Sequence, residues 1–227
     1  MERLLAWYRV TSSAGAVVAL IAANAIPLLG VLFFGWNVWT ILIVYWLENG
    51  IVGAFNIAKM ARAEGDMALT PGTLLISGRP ASSMAKLGLI PFFVMHYGIF
   101  WAVHGVFVLT LPGFGSMGPG GGQDMTAGFD PVTIVLAVIA LTISHGVSFW
   151  LNFLGGGEYR RVSAAGQMFA PYGRLVVLHV TIIFGGIAIA MTGAPAAAVA
   201  ILVGLKTVMD LGFHLAEHRK AGSSVQV

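Results

Sequence analysis

Leu87–Leu111 reads LGLIPFFVMHYGIFWAVHGVFVLTL and contains no aspartate, glutamate, lysine or arginine. About 20 such residues in a helix cross a hydrocarbon core of about 30 Å, so this stretch predicts a transmembrane helix. The whole chain has the same character, because 58% of its 227 residues are hydrophobic and 9% are charged. A soluble domain has about 25% charged residues, which it needs to cover its surface. The composition therefore excludes an ordinary soluble globule and indicates an integral membrane protein.

Other apolar stretches on both sides of this one complete a prediction of six transmembrane helices. They lie at about 13–34, 38–58, 87–111, 131–154, 175–191 and 195–215. Every span is expected to be helical, because backbone polar groups without hydrogen-bond partners are too costly in lipid. We therefore predict an all-α polytopic membrane helix bundle, with residues 1–227 forming a single integral membrane domain.

Lysine and arginine are distributed asymmetrically between the predicted loops. Eleven of the twelve bases lie before the first span, between the second and third, between the fourth and fifth, or after the sixth. The positive-inside rule makes these segments cytoplasmic, so both termini are predicted to lie in the cytoplasm. The expected location is the cell inner membrane, which the chain would cross several times. Lys206 is the twelfth base; it falls inside the sixth span, where Asp210 or Glu48 is its expected partner. The net charge of +3 follows from these loops and does not indicate a nucleic-acid partner.

Ionisable side chains inside the predicted spans are the main functional signal. Each one costs about 2.5–3.5 kcal/mol at mid-depth, so such groups usually face the bundle interior and have a function. The spans contain eight of them: Glu48, His96, His104, His145, His179, Lys206, Asp210 and His214. Most fall in the cytoplasmic half of five different helices, so we expect them to converge there. A structural polar network without catalytic function is the alternative interpretation.

The residue types in this set predict a transition-metal site. Neutral imidazoles and carboxylates are ligands for zinc, iron, copper or manganese, and the absence of cysteine excludes thiolate ligation and thiolate catalysis. The predicted ligands share a similar depth: His96, His145, His179, His214 and Asp210. His104 is left out because it lies eight residues, or about 12 Å, further along its helix than His96. Zinc is the first choice of metal, while iron, copper and haem are left open.

The same residues predict a metal-dependent membrane enzyme, either a hydrolase or an oxidoreductase, acting on a lipid or another apolar small molecule within the lipid bilayer. A metal-bound water would attack the substrate, with Glu48 or Asp210 as the catalytic proton acceptor. A transporter or channel for protons or metal ions is one alternative, because chains of histidine and acidic residues carry protons through membranes. A haem-binding electron-transfer protein with two axial histidines is another.

Several short motifs together resemble a family of uncharacterised bacterial inner-membrane proteins known only as a domain of unknown function. The motifs are Tyr45-Trp46-Leu47-Glu48-Asn49, His96-Tyr97-Gly98-Ile99-Phe100 with His104-Gly105, Ser144-His145-Gly146-Val147-Ser148-Phe149 with Asn152, Glu158-Tyr159-Arg160, Leu178-His179, and Lys206 through Asp210 to His214. The resemblance implies a polytopic helical fold and gives no information about activity. His214 and His218 are also similar to the two zinc-binding histidines, four residues apart, in the last helix of membrane hydrolases of the ceramidase and adiponectin-receptor type. Those proteins have seven helices, so this second likeness is an analogy.

Overall fold

The computed structural model describes residues 29–65, 75–76, 79–115, 126–192, 200–201, 203–205 and 207–208. Most of the predicted first and sixth spans lies outside these residues, as do Lys206, Asp210, His214 and His218. The described residues form helices and their connecting loops, together with two antiparallel strands of two residues each, β1 (Leu75–Ile76) and β2 (Arg79–Pro80). The prediction of an all-α protein is confirmed at this level.

Five α-helices carry the fold of the described residues. They are α1 (Val38–Arg62), α2 (Ala81–Gly115), α3 (Pro131–Ser148), α4 (Ala164–Phe169) and α5 (Tyr172–Thr192), with a π-helical turn at Phe149–Gly155 and a 3₁₀ turn at Glu158–Arg160 between α3 and α4. Within the part of the chain that the structure describes, four helical stretches are long and apolar enough to cross a membrane: Val38–Arg62, Lys86–Gly113, Pro131–Gly155 and Ala164–Ala188. These stretches correspond to the predicted second to fifth spans.

The last of these stretches begins at Ala164, eleven residues before the start at Leu175 that the sequence predicts. Ser163 caps α4 by accepting a hydrogen bond of 3.0 Å from the amide of Gly166. Pro171 and Arg174 interrupt the apolar pattern and hide this start in the sequence. His179 is consequently farther from the beginning of its helical stretch than the sequence indicates.

Helices α1 and α2 run antiparallel in one constant register. Near the start of α1, the Trp39 indole donates a hydrogen bond of 2.8 Å to the backbone carbonyl of Val108. Near its end, the Lys86 ammonium donates a hydrogen bond of 3.2 Å to the carbonyl of Ala61. The two contacts are twenty-two residues apart on both helices. The register is therefore maintained over almost the full length of α1.

A reciprocal tryptophan contact lies between these two ends. The indoles of Trp46 and Trp101 stack with ring centroids 4.8 Å apart. Each indole N–H donates to the backbone carbonyl of the other tryptophan, at 2.9 Å from Trp46 and 3.0 Å from Trp101. Gly50 and Gly105 each follow one tryptophan by four residues, and a Cβ on either would run into the opposite indole. The two glycines thus make room for the contact.

The outer surface of α3 is apolar. Leu136, Ile139, Ile143 and Trp150 in this helix and its π-helical extension each expose more than half of their surface. Soluble monomers rarely expose apolar patches this continuous, whereas a helix that faces lipid does. The exposure pattern therefore agrees with a membrane-spanning role for Pro131–Gly155.

The chain divides into two compact units, and the contacts described below lie in the unit formed by Trp39–Pro112 and Phe129–His179. Its core is a cluster of buried side chains from α1, α2, α4 and α5, namely Met60, Phe93, Tyr97, Met168 and Leu175. In the other unit, the Asn37 amide donates a hydrogen bond of 2.6 Å to the carbonyl of Ala127. The core of the first unit fixes α1, α2 and α5 around the polar residues of the candidate site.

Candidate functional site

One face of α1 carries a line of functional side chains. Glu48, Val52, Asn56 and Lys59 follow one another at helical spacing, so they lie along one stripe of the helix. Glu48 is fourteen residues before the end of α1 at Arg62, which is about 21 Å at the rise of an α-helix. Lys59 is within the last turn. The stripe therefore leads from the end of the span towards its middle.

Glu48 joins three helices. Its Oε1 atom accepts a hydrogen bond of 2.9 Å from Nη1 of Arg174 on α5 and lies 3.4 Å from Nε2 of His145 on α3. The Glu48 side chain is 13% exposed, and that of His145 is 29% exposed. A carboxylate in an apolar span needs such compensation, because desolvation otherwise disfavours its charge.

Among these three residues, Arg174 is the one whose position differs from the prediction made from the sequence. The sequence puts it in a cytoplasmic loop, because the apolar run resumes only at Leu175, whereas the structure places it in the first turn of α5. One signal could have identified Arg174 as a site residue. It is a base one turn inside an apolar helix, and its long side chain can reach a carboxylate in the middle of another span. The structure thus brings two predicted site residues, Glu48 and His145, together around an unpredicted third.

The contact with Glu48 determines how the His145 ring can be used. A carboxylate accepts hydrogen bonds, so Nε2 of His145 carries the proton in this contact. In the neutral ring Nδ1 then carries the lone pair and can accept a proton or bind a metal ion. The separation of 3.4 Å is long for a hydrogen bond, as is common for catalytic pairs without bound substrate.

A cavity of about 220 Å³ lies beside these residues. Its polar lining comes from α1, α3, α4 and α5: Asn56, Lys59, His145, Ser148, Gln167 and Arg174. The other lining residues are apolar or small. Gln167 donates a hydrogen bond of 2.7 Å from Nε2 to Oδ1 of Asn56. Asn56 is 3% exposed, and its Nδ2 atom has no hydrogen-bond partner among the described residues. The cavity thus combines a base, two cations and a buried amide donor.

His104 and His179 form a second polar contact, with 2.9 Å between Nε2 of His104 and Nδ1 of His179. Nδ1 of His104 donates to the backbone carbonyl of Phe100, so in the neutral ring Nε2 accepts the proton of His179. His104 is buried and His179 is exposed. The sequence did not indicate this pairing, because it places His179 only a few residues inside the span, whereas the helical stretch begins at Ala164.

His96 lies in a third contact, where its Nδ1 atom is 2.8 Å from the hydroxyl of Tyr172. The predicted ligands His96, His145 and His179 are thus held in three separate pairs. The described part of the chain contains no group of three or more histidine, cysteine, aspartate or glutamate side chains that could hold a metal ion. Asp210 and His214 lie outside the described residues, so the five-ligand site, its metal and the catalytic role of Asp210 stay predictions.

The sequence profile of the Family of unknown function (DUF6498) matches residues 6–227. The chain belongs to this family. Membership in DUF6498 confirms the resemblance to an uncharacterised domain that the motifs indicate. No curated protein and no solved structure matches the chain, and no relative supports the analogy with ceramidase-type hydrolases. Family membership therefore assigns no activity to this DUF6498 protein.

Proposed function

We propose that this DUF6498 protein is a membrane enzyme, a hydrolase acting on a lipid or another apolar substrate, with His145 as its general base and acid. The observation that carries the proposal is the contact of Glu48 with both His145 and Arg174 at the wall of the cavity. An acid, a base and a histidine from three helices are costly to hold together inside a span. Ionisable groups kept at that cost usually serve a function.

The proposed reaction uses both nitrogens of His145. Nδ1 takes a proton from a water molecule, whose oxygen forms a bond to the carbonyl or phosphoryl centre of the substrate. As the bond to the leaving group breaks, the imidazolium returns this proton to the leaving oxygen. Glu48 orients the ring through Nε2 and stabilises the imidazolium, as the acid of a histidine–carboxylate pair does. Arg174 holds the carboxylate of Glu48 in place, so Glu48 acts as a positioning residue.

The predicted metal dependence is retained as the finer part of this proposal. In that version His96, His145, His179, His214 and Asp210 bind one transition-metal ion, with zinc as the first choice. Such an ion supplies a bound water of lowered pKa. The residue types support it, since imidazoles and carboxylates are suitable ligands. Metal binding by this set requires His96, His145 and His179 to leave the three separate contacts in which the structure holds them.

A pathway for protons or metal ions is the second candidate function, because His104 and His179 are hydrogen-bonded to each other. Two such imidazoles can pass a proton by exchanging donor and acceptor roles. Proton uptake by proteoliposomes tests this candidate, which requires His104→Phe to abolish the uptake and His96→Phe to leave it intact. A haem-binding protein, the third hypothesis, has no supporting contact among the described residues.

The proposed location is the cell inner membrane, with six spans and both termini in the cytoplasm. The basic residues at one end of the described unit support this orientation. The amide of Glu64 donates a hydrogen bond of 2.7 Å to the carbonyl of Tyr159, and Lys86 reaches Ala61, so three chain segments meet at this end. The bases in these segments are Lys59, Arg62, Lys86, Arg160 and Arg161.

Lipid analysis tests the enzymatic proposal. Full-length protein in nanodiscs made from a bacterial polar lipid extract is incubated, and the lipids are then measured by mass spectrometry. We expect wild type to deplete one lipid class, His145→Gln to leave it unchanged, and His104→Gln to deplete it as wild type does. His104 is the matched control, because it is a histidine of the same unit that neither lines the cavity nor belongs to the predicted ligand set. Equal depletion by wild type and His145→Gln would contradict the proposal.

A further inference from the structure

The cavity beside His145 has a cationic lining. Lys59 and Arg174 both line it, and none of its lining residues is an aspartate or glutamate. The acidic neighbour, Glu48, contacts Arg174 from outside the lining. Lys59 forms no ion pair within the described ranges, and its ammonium lies 5.3 Å from the centre of the Phe153 ring. Lys59 therefore leaves the lining with an excess of positive charge.

The buried amide of Asn56 is the second observation that indicates a ligand. Asn56 is 3% exposed and lines the cavity, yet its Nδ2 atom has no partner among the described residues. Its Oδ1 atom is already satisfied by Gln167. A buried donor without an acceptor is costly. A small shift of the Asn56 side chain towards the cavity would let a ligand oxygen accept from Nδ2 and would remove that cost.

The depth and size of the cavity define what part of a ligand it can hold. Lys59, Asn56 and Glu48 are three, six and fourteen residues before the end of α1, or about 4.5, 9 and 21 Å along the helix. The volume of about 220 Å³ is smaller than a pocket for a drug-sized molecule, which is about 300–1,000 Å³. The cavity therefore fits a compact anionic group that enters from the end of the span, rather than a whole lipid.

We infer that this cavity binds a phosphate group, with Arg174, Lys59 and the Nδ2 atom of Asn56 as its donors. A phosphate offers acceptor oxygens in several directions, which suits donors on two helices. A guanidinium has five N–H donors, so Arg174 can bind a phosphate together with Glu48. The inference rests on the proposed function, because the phosphate would belong to the substrate of His145. Binding itself requires no catalytic step.

A phosphate group can come from a membrane phospholipid or from a soluble phosphate ester, and a binding experiment separates the two sources. Full-length protein in a non-ionic detergent is titrated with dioctanoyl phosphatidic acid, with dioctanoylglycerol as its phosphate-free counterpart, and with glycerol 3-phosphate. Isothermal titration calorimetry gives the Kd of each. We expect phosphatidic acid to bind and dioctanoylglycerol to bind far more weakly.

The variants locate the binding to the cavity. We expect Lys59→Gln to bind phosphatidic acid about tenfold more weakly, the loss for one charge-assisted hydrogen bond. Lys86→Gln, which removes a lysine at the same end of the unit outside the cavity, is the matched control and keeps wild-type affinity. If Lys59→Gln does not fold, Asn56→Leu removes the amide donor with a side chain of similar size and is expected to weaken binding likewise.

Each result bears on the inference. Glycerol 3-phosphate binding as tightly as phosphatidic acid supports a soluble ester, and its weak binding supports a phospholipid. Equal Kd values for wild type and Lys59→Gln, or for phosphatidic acid and dioctanoylglycerol, overturn the inference. His145→Gln should bind phosphate while losing turnover. Binding that depends on Lys59 without turnover by wild type would refute the enzymatic proposal alone, and turnover without phosphate binding would refute this inference alone.

Discussion

Arg174 and Glu48 are 126 residues apart in sequence and 2.9 Å apart in the structure, between Nη1 and Oε1. This contact brings the start of α5 to the middle of α1. The same carboxylate oxygen lies 3.4 Å from His145 on α3, so three helices meet at one atom. Glu48 thus determines both the packing of the unit and the orientation of its candidate catalytic histidine.

The contact between Glu48 and Arg174 should appear as an energetic coupling in a double-mutant cycle. Glu48→Gln is expected to destabilise the protein more in the presence of Arg174 than beside Arg174→Gln, by about 1.5–3 kcal/mol for a hydrogen bond between charged groups. Unfolding in detergent measures the four variants. Lys86→Gln in place of Arg174→Gln is the control and should show no coupling. Equal losses in both backgrounds would show that the contact contributes nothing.

The glycines beside the tryptophan contact are expected to resist substitution. In Gly105→Ala the new methyl group overlaps the indole of Trp46, and relieving such overpacking costs about 1–3 kcal/mol. Gly98 lies on the same helix with no neighbour within 4 Å of an added Cβ, so Gly98→Ala is the control. Thermal unfolding should show a lower midpoint for Gly105→Ala and an unchanged or higher one for Gly98→Ala. A Gly105→Ala midpoint equal to wild type would contradict this packing.

The start of α3 should respond to pH through Asp130, which lies outside the spans. Hydrogen bonds from the Thr133 hydroxyl and the Val132 amide lower the pKa of its carboxyl group. Because the pKa is lower in the folded state, the stabilisation is present above the unfolded pKa of about 3.9 and is lost as the pH falls through the folded pKa. Asp130→Ala should therefore destabilise the protein at pH 7 and lose this effect in acid. In unfolding assays Asp130→Asn, which still caps the helix, should be less destabilised at pH 7.

Reporter fusions test the proposed orientation. Fusions after Lys59, Arg161 and Arg219 should report the cytoplasm, and a fusion at Gly121 should report the outside. The physical reason is that the basic connections stay on the cytoplasmic face during insertion. A cytoplasmic signal at Gly121 would contradict the six-span arrangement and the depths inferred from it.

Elemental analysis tests the transition-metal hypothesis. It predicts near-stoichiometric metal in the purified protein, with sharply less in His145→Ala and His214→Ala, because each variant removes a ligand. His96→Ala distinguishes the full ligand set from a smaller one without His96, because His96 is hydrogen-bonded to Tyr172 in the structure. The full set predicts that this variant also loses metal. Metal-free wild type that remains folded would refute the hypothesis and leave Glu48 and His145 as an acid–base pair.

The sequence was sufficient to predict the helical fold and part of the site. Long apolar runs specify helices in lipid, so the four described spans follow from composition alone. Glu48 and His145 were also predicted as site residues, because ionisable groups in a span are costly. Arg174 could not be predicted by the same argument, because it lies at the edge of an apolar run, where a base is ordinary.

The contacts between histidines could not be predicted from their expected depth in the membrane. Residue counts along predicted spans depend on where each helix begins, and the stretch that corresponds to the predicted fifth span begins at Ala164. The correct start places His179 beside His104, which the sequence sets apart from the other histidines. Side-chain length adds a second uncertainty, since the long side chain of Arg174 connects residues at different depths.

The reciprocal bonds of Trp46 and Trp101 limit how a ligand can enter the cavity. Sliding α1 along α2 would break both indole bonds together and move each indole away from the glycine that makes room for it. The two helices are therefore expected to move as one rigid frame. Any gate to the cavity then has to be on its α3 side, because a shared core holds α1, α2, α4 and α5 together. Opening the gate would separate His145 from Glu48, so entry and catalytic readiness would alternate.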